Sequence, residues 1–357
     1  MRVVVGMSGG VDSAVAALLL KRQGRDVVGV FMKNWDEQDE QGVCAAQQDW
    51  EDVQRTCEVI GIPYYAVNFA AEYRERVFTL FLQELQAGRT PNPDVLCNRE
   101  IKFKAFFDFT LQLGAVHMAT GHFVRKDGAD RLLKGTDSNK DQSYFLYMLK
   151  KRQVAGALFP VGDLTKGQVR AIARDAGLPV AERKDSTGIC FIGERNFKRF
   201  LADYLPAQPG PMLTVDGETV GTHDGLMYYT LGQRRGLGIG GRGDGRSFFV
   251  VDKRLEDNAL IVAQGEDHPL LFSSGADIEQ ATWMDEPPCL EGESALLHAR
   301  FRYRQPDQQV TMTNLGGGML SVCFDAPQRA ITPGQSAVFY DGDVCLGGGI
   351  IRSARRA

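Results

Sequence analysis

Near the start of the chain, Gly6-Met7-Ser8-Gly9-Gly10-Val11-Asp12-Ser13 has the residue types of a phosphate cradle. It follows the apolar run Val3–Val5 and precedes a helical pattern of Ala14, Val15, Ala17, Leu18 and Leu19. A glycine-rich strand-to-helix turn aims successive backbone N–H groups and the positive helix end at one spot, where phosphate oxygens fit. No Gly-Lys-Ser/Thr ends it, so it is not a nucleoside-triphosphatase loop. The plainer alternative is a helix start capped by Ser8 or Asp12. Two cysteine contexts add thiol chemistry. In Arg89-Thr90-Pro91-Asn92-Pro93-Asp94-Val95-Leu96-Cys97-Asn98-Arg99-Glu100-Ile101-Lys102-Phe103, two prolines stiffen the approach to a helix that Asn98 is expected to cap. Asp94 and Cys97 share a face if their turn is helical. A thiol beside a helix N-terminus, with Arg99, Lys102 and Lys104 nearby, gains thiolate character. The neighbours Val95 and Leu96 suit a merely buried cysteine equally well. Cys190 follows the turn residues Asp185-Ser186-Thr187-Gly188 and, taken alone, reads as a small buried hydrophobe.

The elements that must position these residues alternate. Strand signals at Val3–Val5, Asp26–Met32, Tyr64–Phe69 and Val116–Thr120 are interleaved with helical spacing at Asp12–Gln23, Ala45–Ile60, Ala70–Gln86 and Ile101–Leu113. This alternation predicts an α/β fold with a parallel, doubly wound sheet whose ligands bind at the carboxyl ends of the strands. The character changes at Leu205-Pro206-Ala207-Gln208-Pro209-Gly210-Pro211, after which short alternating segments and turns dominate. Residues 1–205 are therefore assigned to the sheet domain, 206–270 to a small β-rich central domain and 271–357 to a C-terminal β-barrel or sandwich. Hairpin turns are expected at Val215–Glu218 and within Phe339–Val344. Gly236–Gly241 matches GxGxxG formally, but no helix pattern follows, and it reads as a loop.

Composition narrows the classes. The chain has 357 residues, 43% of them hydrophobic, and a net charge of −4, which argues against a wholesale polyanion binder. No run of eighteen apolar residues and no leader pattern is present, so neither a membrane span nor a signal peptide is expected. Seven cysteines without CxxC pairs fit neither a disulfide scaffold nor a zinc ribbon, and a reducing cytoplasm is the expected compartment. In His298–Arg304, strand alternation puts Arg300, Arg302 and Arg304 on one face, a row suited to a phosphate backbone or to plain solvation.

The order Ser8-Gly9-Gly10-x-Asp12-Ser13 resembles the PP-loop of the ATP pyrophosphatases, which transfer AMP to an oxygen and release pyrophosphate. Over essentially its full length the chain resembles the bacterial tRNA-specific 2-thiouridylases. The resemblance is carried by Gly6–Ser13, Arg89–Phe103, Thr120-Gly121-His122, Ser138–Phe145, Asp185–Gly193, Leu231-Gly232-Gln233-Arg234, and Thr332-Pro333-Gly334-Gln335 to Gly349. It implies ATP on Gly6, Met7, Ser8, Gly9, Gly10, Val11, Asp12 and Ser13, with Met32 and Gly121 at the adenosine. It implies Mg²⁺ accompanying ATP without a fixed protein ligand, Asp12 being the carboxylate able to meet it. The target uridine lies near Asn92, Pro93 and Asp94, and Asp94 is the general acid/base. The resemblance further implies that Cys190 carries a persulfide delivered by a sulfur-relay protein, that Cys97 is the nucleophile, and that the two end as a disulfide. tRNA contacts fall on His122, Lys140, Asp141, Gln142, Arg302, Tyr303 and Gln335, and a monomer is expected. With a negative chain overall, RNA affinity must lean on local patches and fall sharply with salt. Two rival readings are an amide-forming PP-loop ligase, indifferent to both cysteines, and a nucleotide-dependent RNA-binding protein without catalysis.

Overall fold

A computed structural model describes residues 1–35, 45–184, 197–240 and 245–356. The first domain alternates strands and helices as the periodicity predicts: β1 (Arg2–Met7), α1 (Val11–Arg22), β2 (Asp26–Lys33), α2 (Ala45–Ile60), β3 (Tyr64–Asn68). The next helical stretch is α3 (Ala70–Tyr73), a π-helical turn (Arg74–Phe78) and α4 (Thr79–Gln86). A second follows as α5 (Pro93–Cys97), a π-helical segment (Asn98–Ala105) and α6 (Phe106–Gln112). Then come β4 (His117–Ala119), the hairpin β5 (Val124–Lys126) and β6 (Leu132–Lys134), α7 (Lys151–Ala155), β7 (Ala157–Leu158), α8 (Lys166–Asp175) and α9 (Phe197–Ala202). The sheet is parallel throughout, in the order β3-β2-β1-β4-β7. Alternation along β1 serves both faces: Val3 and Val5 pack with α1, α2 and α8, while Val4 joins the aromatic core of Tyr73, Phe78, Phe81, Phe103 and Phe106.

The second half is all β. The central sheet contains β8 (Gly210–Thr214), β9 (Thr219–His223), β10 (Phe248–Arg254) and β11 (Ala259–Gln264), in the order β10-β11-β8-β9. Its β8–β9 turn is the hairpin expected at Val215–Glu218. The strands β12 (Phe272–Trp283), β13 (Ser294–Arg300), β14 (Gln308–Gly316), β15 (Met319–Arg329), β16 (Ser336–Asp341) and β17 (Val344–Arg356) follow. They run β12-β15-β14-β13-β16-β17, and pairing of β12 with β17 closes the barrel.

The barrel is not an isolated body. The β5–β6 hairpin of the first domain extends its sheet, with Leu133 opposite Val344 and the Lys134 N–H donating to the Asp343 carbonyl at 2.9 Å. Beneath this seam lies a buried charge network. Arg300 donates to Asp141 and to Asp307, each at 2.6 Å, and Lys134 pairs with Asp307. The Tyr340 ring is covered by both cations, Lys134 at 4.5 Å and Arg300 at 4.9 Å.

One expectation fails here. β13 ends at Arg300 and the chain turns, so Arg300, Arg302 and Arg304 do not form a row on one strand face. Arg300 is spent on two carboxylates instead, and Arg304 lies over the Tyr303 ring at 5.7 Å.

Candidate functional site

The glycine-rich turn sits at the carboxyl end of β1, where ligands of parallel sheets bind. Gly10, which has no side chain to serve as a cap, is the residue before α1, so the N-cap position falls to neither Ser8 nor Asp12. The first-turn N–H groups thus face the cradle rather than a local cap. The loop is held from within by Ser13, whose Oγ accepts from the Ser8 N–H at 3.2 Å and donates to the Gly10 carbonyl at 3.1 Å. Gly9 adopts φ +75°, and a Cβ there would stand 2.9 Å from the Asp49 carbonyl, so only glycine fits. Arg183 donates to the Gly9 carbonyl at 3.0 Å while pairing with Asp49 and Asp52 of α2. Burial raises the Asp49 pKa above its ordinary value, outweighing the opposing pull of Arg183. Lys166, at the start of α8, reaches Asp12 at 2.6 Å.

Met32 and Gly121, the residues expected at the adenosine, come to the same strand ends. The Met32 methyl would lie 3.2 Å from a Cβ on Gly6. Gly121 presses on the start of α1, where a Cβ would stand 2.6 Å from both the Asp12 carbonyl carbon and the Ser13 nitrogen. Those are backbone atoms and cannot yield cheaply. Gly121→Ala is expected to weaken ATP binding at least about tenfold, as an overpacking strain of about 1–3 kcal/mol delivered to the loop would do. Calorimetric titration with ATP checks this; unchanged affinity would separate Gly121 from the nucleotide site.

The thiol segment departs from its sequence reading in two ways. The helix begins well upstream of a cap at Asn98, because Asn92 is extended (φ −112°, ψ 93°) and Pro93 takes the first helical position. Asn98 therefore lies inside the helical run, and its side-chain amide donates to the Phe145 carbonyl at 3.1 Å. Asp94 and Cys97 do share one helical turn, as their spacing predicts. Cys97, however, is 1% exposed. Burial pushes its thiol up to about 11; Lys102 opposes this and Asp94 adds to it. The expected gain in thiolate character is overturned in this structure. Iodoacetamide at neutral pH should accordingly label exposed Cys323 fully before Cys97, with Cys97 labelling rising only as the pH approaches about 11. Peptide mass analysis reads both sites. Cys190, with the rest of Asp185–Gly193, lies outside the described residues.

The side chains expected on RNA are largely engaged by the protein itself. His122 is buried, bonded through Nδ1 to the Thr120 hydroxyl at 2.8 Å. Burial, with help from Lys102, holds its pKa well below the usual histidine value, so the ring is neutral. Asp141 is 2% exposed and accepts from the Gly135 and Ser143 N–H groups and from Arg300. Gln142 accepts from the Phe123 N–H at 2.9 Å. Arg302 donates to the Leu231 and Ala330 carbonyls at 3.0 and 2.7 Å, and burial lowers its pKa. Gln335 donates to the Thr90 carbonyl at 2.7 Å. Tyr303 packs on the Phe145 ring at 4.5 Å, with its hydroxyl 3.5 Å from the Lys140 carbonyl. Lys140, Tyr303, Phe145 and Asn98 thus form a continuous path to the Cys97 helix.

Sequence reasoning missed Arg183 and Lys166, which act on Gly9 and Asp12 across separations of 174 and 154 residues. No local signal marks them. Among the described residues no cluster of three or more His, Cys, Asp or Glu side chains could hold a metal, and no helix is long and apolar enough to cross a membrane.

Comparison with known proteins gives a consistent picture. Residues 1–194 match the family model of the tRNA methyl transferase HUP domain, 198–264 the tRNA methyl transferase PRC-barrel domain, and 273–351 the aminomethyltransferase beta-barrel domain. The tRNA-specific 2-thiouridylase MnmA of Alkaliphilus oremlandii is 62% identical over 98% of this chain and 96% of its own length. That of Bacillus subtilis is 59% identical over 98% of this chain and 94% of its own.

Proposed function

The chain belongs to the tRNA-specific 2-thiouridylase family, and from that membership we propose that it uses ATP to replace the C2 oxygen of a tRNA wobble uridine with sulfur. The observation that carries the proposal is 62% identity over 98% of the chain to such an enzyme, supported by the glycine-rich turn at the end of β1 and by the single helical turn that Asp94 and Cys97 share. A flipped-out loop base costs little to extract, because it is weakly stacked already.

In the proposed sequence the uridine C2 oxygen attacks the α-phosphate of ATP held on Gly6–Ser13. Pyrophosphate leaves, and C2 becomes electrophilic. The N–H groups of the first α1 turn and the Lys166 ammonium beside Asp12 favour the anionic leaving group. Asp12 is the carboxylate that would hold a magnesium ion accompanying the nucleotide, and such an ion would supply neutralisation of phosphate charge. Asp94 moves protons as general acid/base near Asn92 and Pro93. Sulfur enters as a Cys190 persulfide supplied by a sulfur-relay donor. Either its terminal sulfur attacks C2 and Cys97 then cleaves the sulfur–sulfur bond, or Cys97 first releases hydrosulfide that attacks C2. AMP leaves in both cases. Both routes end in a Cys97–Cys190 disulfide, which an external dithiol reduces before the next turnover. Burial of Cys97 requires that its surroundings open, or its proton be removed, before it can act. The domain division at 205 and 270, the cytoplasmic setting and the monomeric state belong to the same proposal.

The test is incubation of the full chain with ATP, Mg²⁺, a ³⁵S-labelled persulfide donor and unmodified tRNA, followed by nucleoside mass analysis. Label in 2-thiouridine is the expected result. Pyrophosphate release with no label in RNA would move the function to another adenylated acceptor.

A further inference from the structure

We infer that Gln335 and Gly334 are positioning residues for Asp94, because the barrel loop Thr332–Gln335 fixes the start of α5 through Thr90; this rests on the role proposed for Asp94. Both backbone polar groups of Thr90 are taken by that loop. Its N–H donates to the Pro333 carbonyl at 2.9 Å, and its carbonyl accepts from Gln335 Nε2 at 2.7 Å. Gly334 lies between these two bonds with φ +90°. A Cβ there would stand 2.8 Å from the Thr90 nitrogen and 3.0 Å from the Arg89 Cβ. The two chain segments therefore meet at backbone distance, with no room for a side chain.

The two preceding residues are held from outside the first domain as well. The Gly88 carbonyl accepts from Lys253 of the central sheet at 3.2 Å, and Arg89 lies 3.8 Å from Glu279 of β12. Three successive residues, 88 to 90, are thus gripped by the C-terminal half of the molecule. The residues from Pro91 onward transmit that grip. Pro91 and Pro93 have fixed φ, and Thr90 and Asn92, each preceding a proline, are kept out of the helical region. The segment from Thr90 to Asp94 has little torsional freedom left, so a fixed Thr90 becomes a fixed helix start. Asp94 is the second residue of that helix and Cys97 the fifth. Gln335, implied by family resemblance to touch RNA, has its amide committed to Thr90, so one side chain links the barrel loop to the acid/base.

Gln335→Met removes the donor at nearly constant length, and Gly334→Ala drives a methyl into the Thr90 backbone. Both variants are compared with the parent by thermal melting, amide exchange at Val95–Asn98, and steady-state 2-thiouridine formation at saturating tRNA. The expected result is exchange at least tenfold faster at Val95–Asn98, and kcat at least tenfold lower, with KM for ATP within twofold and the melting transition retained. Unchanged exchange in both variants overturns the inference, whether or not the parent proves to be a thiolase. Loss confined to tRNA affinity, with kcat intact at saturation, also overturns it and leaves Gln335 as an RNA contact alone.

Discussion

Cys97→Ser and Cys190→Ser are each expected to lower 2-thiouridine formation by at least about a thousandfold, in line with removal of a nucleophile from a unit that acts together. The sulfur-transfer half of the proposed reaction needs two thiols, one to carry the sulfane sulfur and one to cleave its bond. A serine hydroxyl does neither at neutral pH. ATP binding should stay within about twofold of the parent, because neither cysteine lies in the Gly6–Ser13 turn. tRNA-dependent pyrophosphate release should persist too, since in the proposed sequence adenylation of C2 precedes any thiol chemistry. Cys323→Ser is the matched control, its residue being exposed on the barrel. Parent-like 2-thiouridine formation in either active-thiol variant would sink the thiolase reading and favour the ligase, in which an amine attacks the adenylate without cysteine.

The largest stability effect is expected at the seam between the β5–β6 hairpin and the barrel. Arg300→Met should destabilise the protein by about 3–5 kcal/mol, because it strips the cation from two carboxylates, one of them the buried Asp141. Against a typical total of about 5–15 kcal/mol, that is a severe loss. By contrast, removing the exposed Arg2–Asp26 pair should cost under about 1 kcal/mol. Urea unfolding followed at the tyrosines reads both variants. Burial tends to raise the Asp307 pKa, but bonds from Lys134 and Arg300 outweigh it and hold this carboxyl below its ordinary value of 3.8. Its stabilising contribution is therefore present above that value and is lost as the pH falls through and below it. Acid should loosen the seam. An Arg300→Met protein as stable as its parent would mean that Lys134 alone neutralises both carboxylates.

How much of this was legible depends on the range of the interaction. The helix Ala45–Ile60 matches its predicted bounds, and the strands around Val3–Val5 and Asp26–Met32 fall where apolar periodicity puts them, because local patterning dictates both. The β-rich second half and the closed barrel also agree with expectation. The π-helical turns at Arg74–Phe78 and Asn98–Ala105 carry no such signature. Asn98 has the residue type of a cap, but Pro93, already one turn upstream, starts the helix. The arginine row fails where β13 stops, a boundary that alternation alone does not mark. Cys97 shows the deepest limit. Three nearby cations argue for thiolate, but Cys97 joins a core that also holds residues distant in sequence, such as Tyr144, and desolvation wins.

The hairpin that β5 and β6 lend to the barrel has a consequence for how this chain can be divided. A fragment cut at the proline-rich stretch after Leu205 would keep the nucleotide half but leave β6 without its neighbour β17. Its bare strand edge would invite pairing with other copies, and Asp141 would lose Arg300. Such a fragment is therefore expected to aggregate rather than to stand as an autonomous nucleotide module. The first domain is expected to reach its described packing only once β17, whose edge β6 extends, has been made.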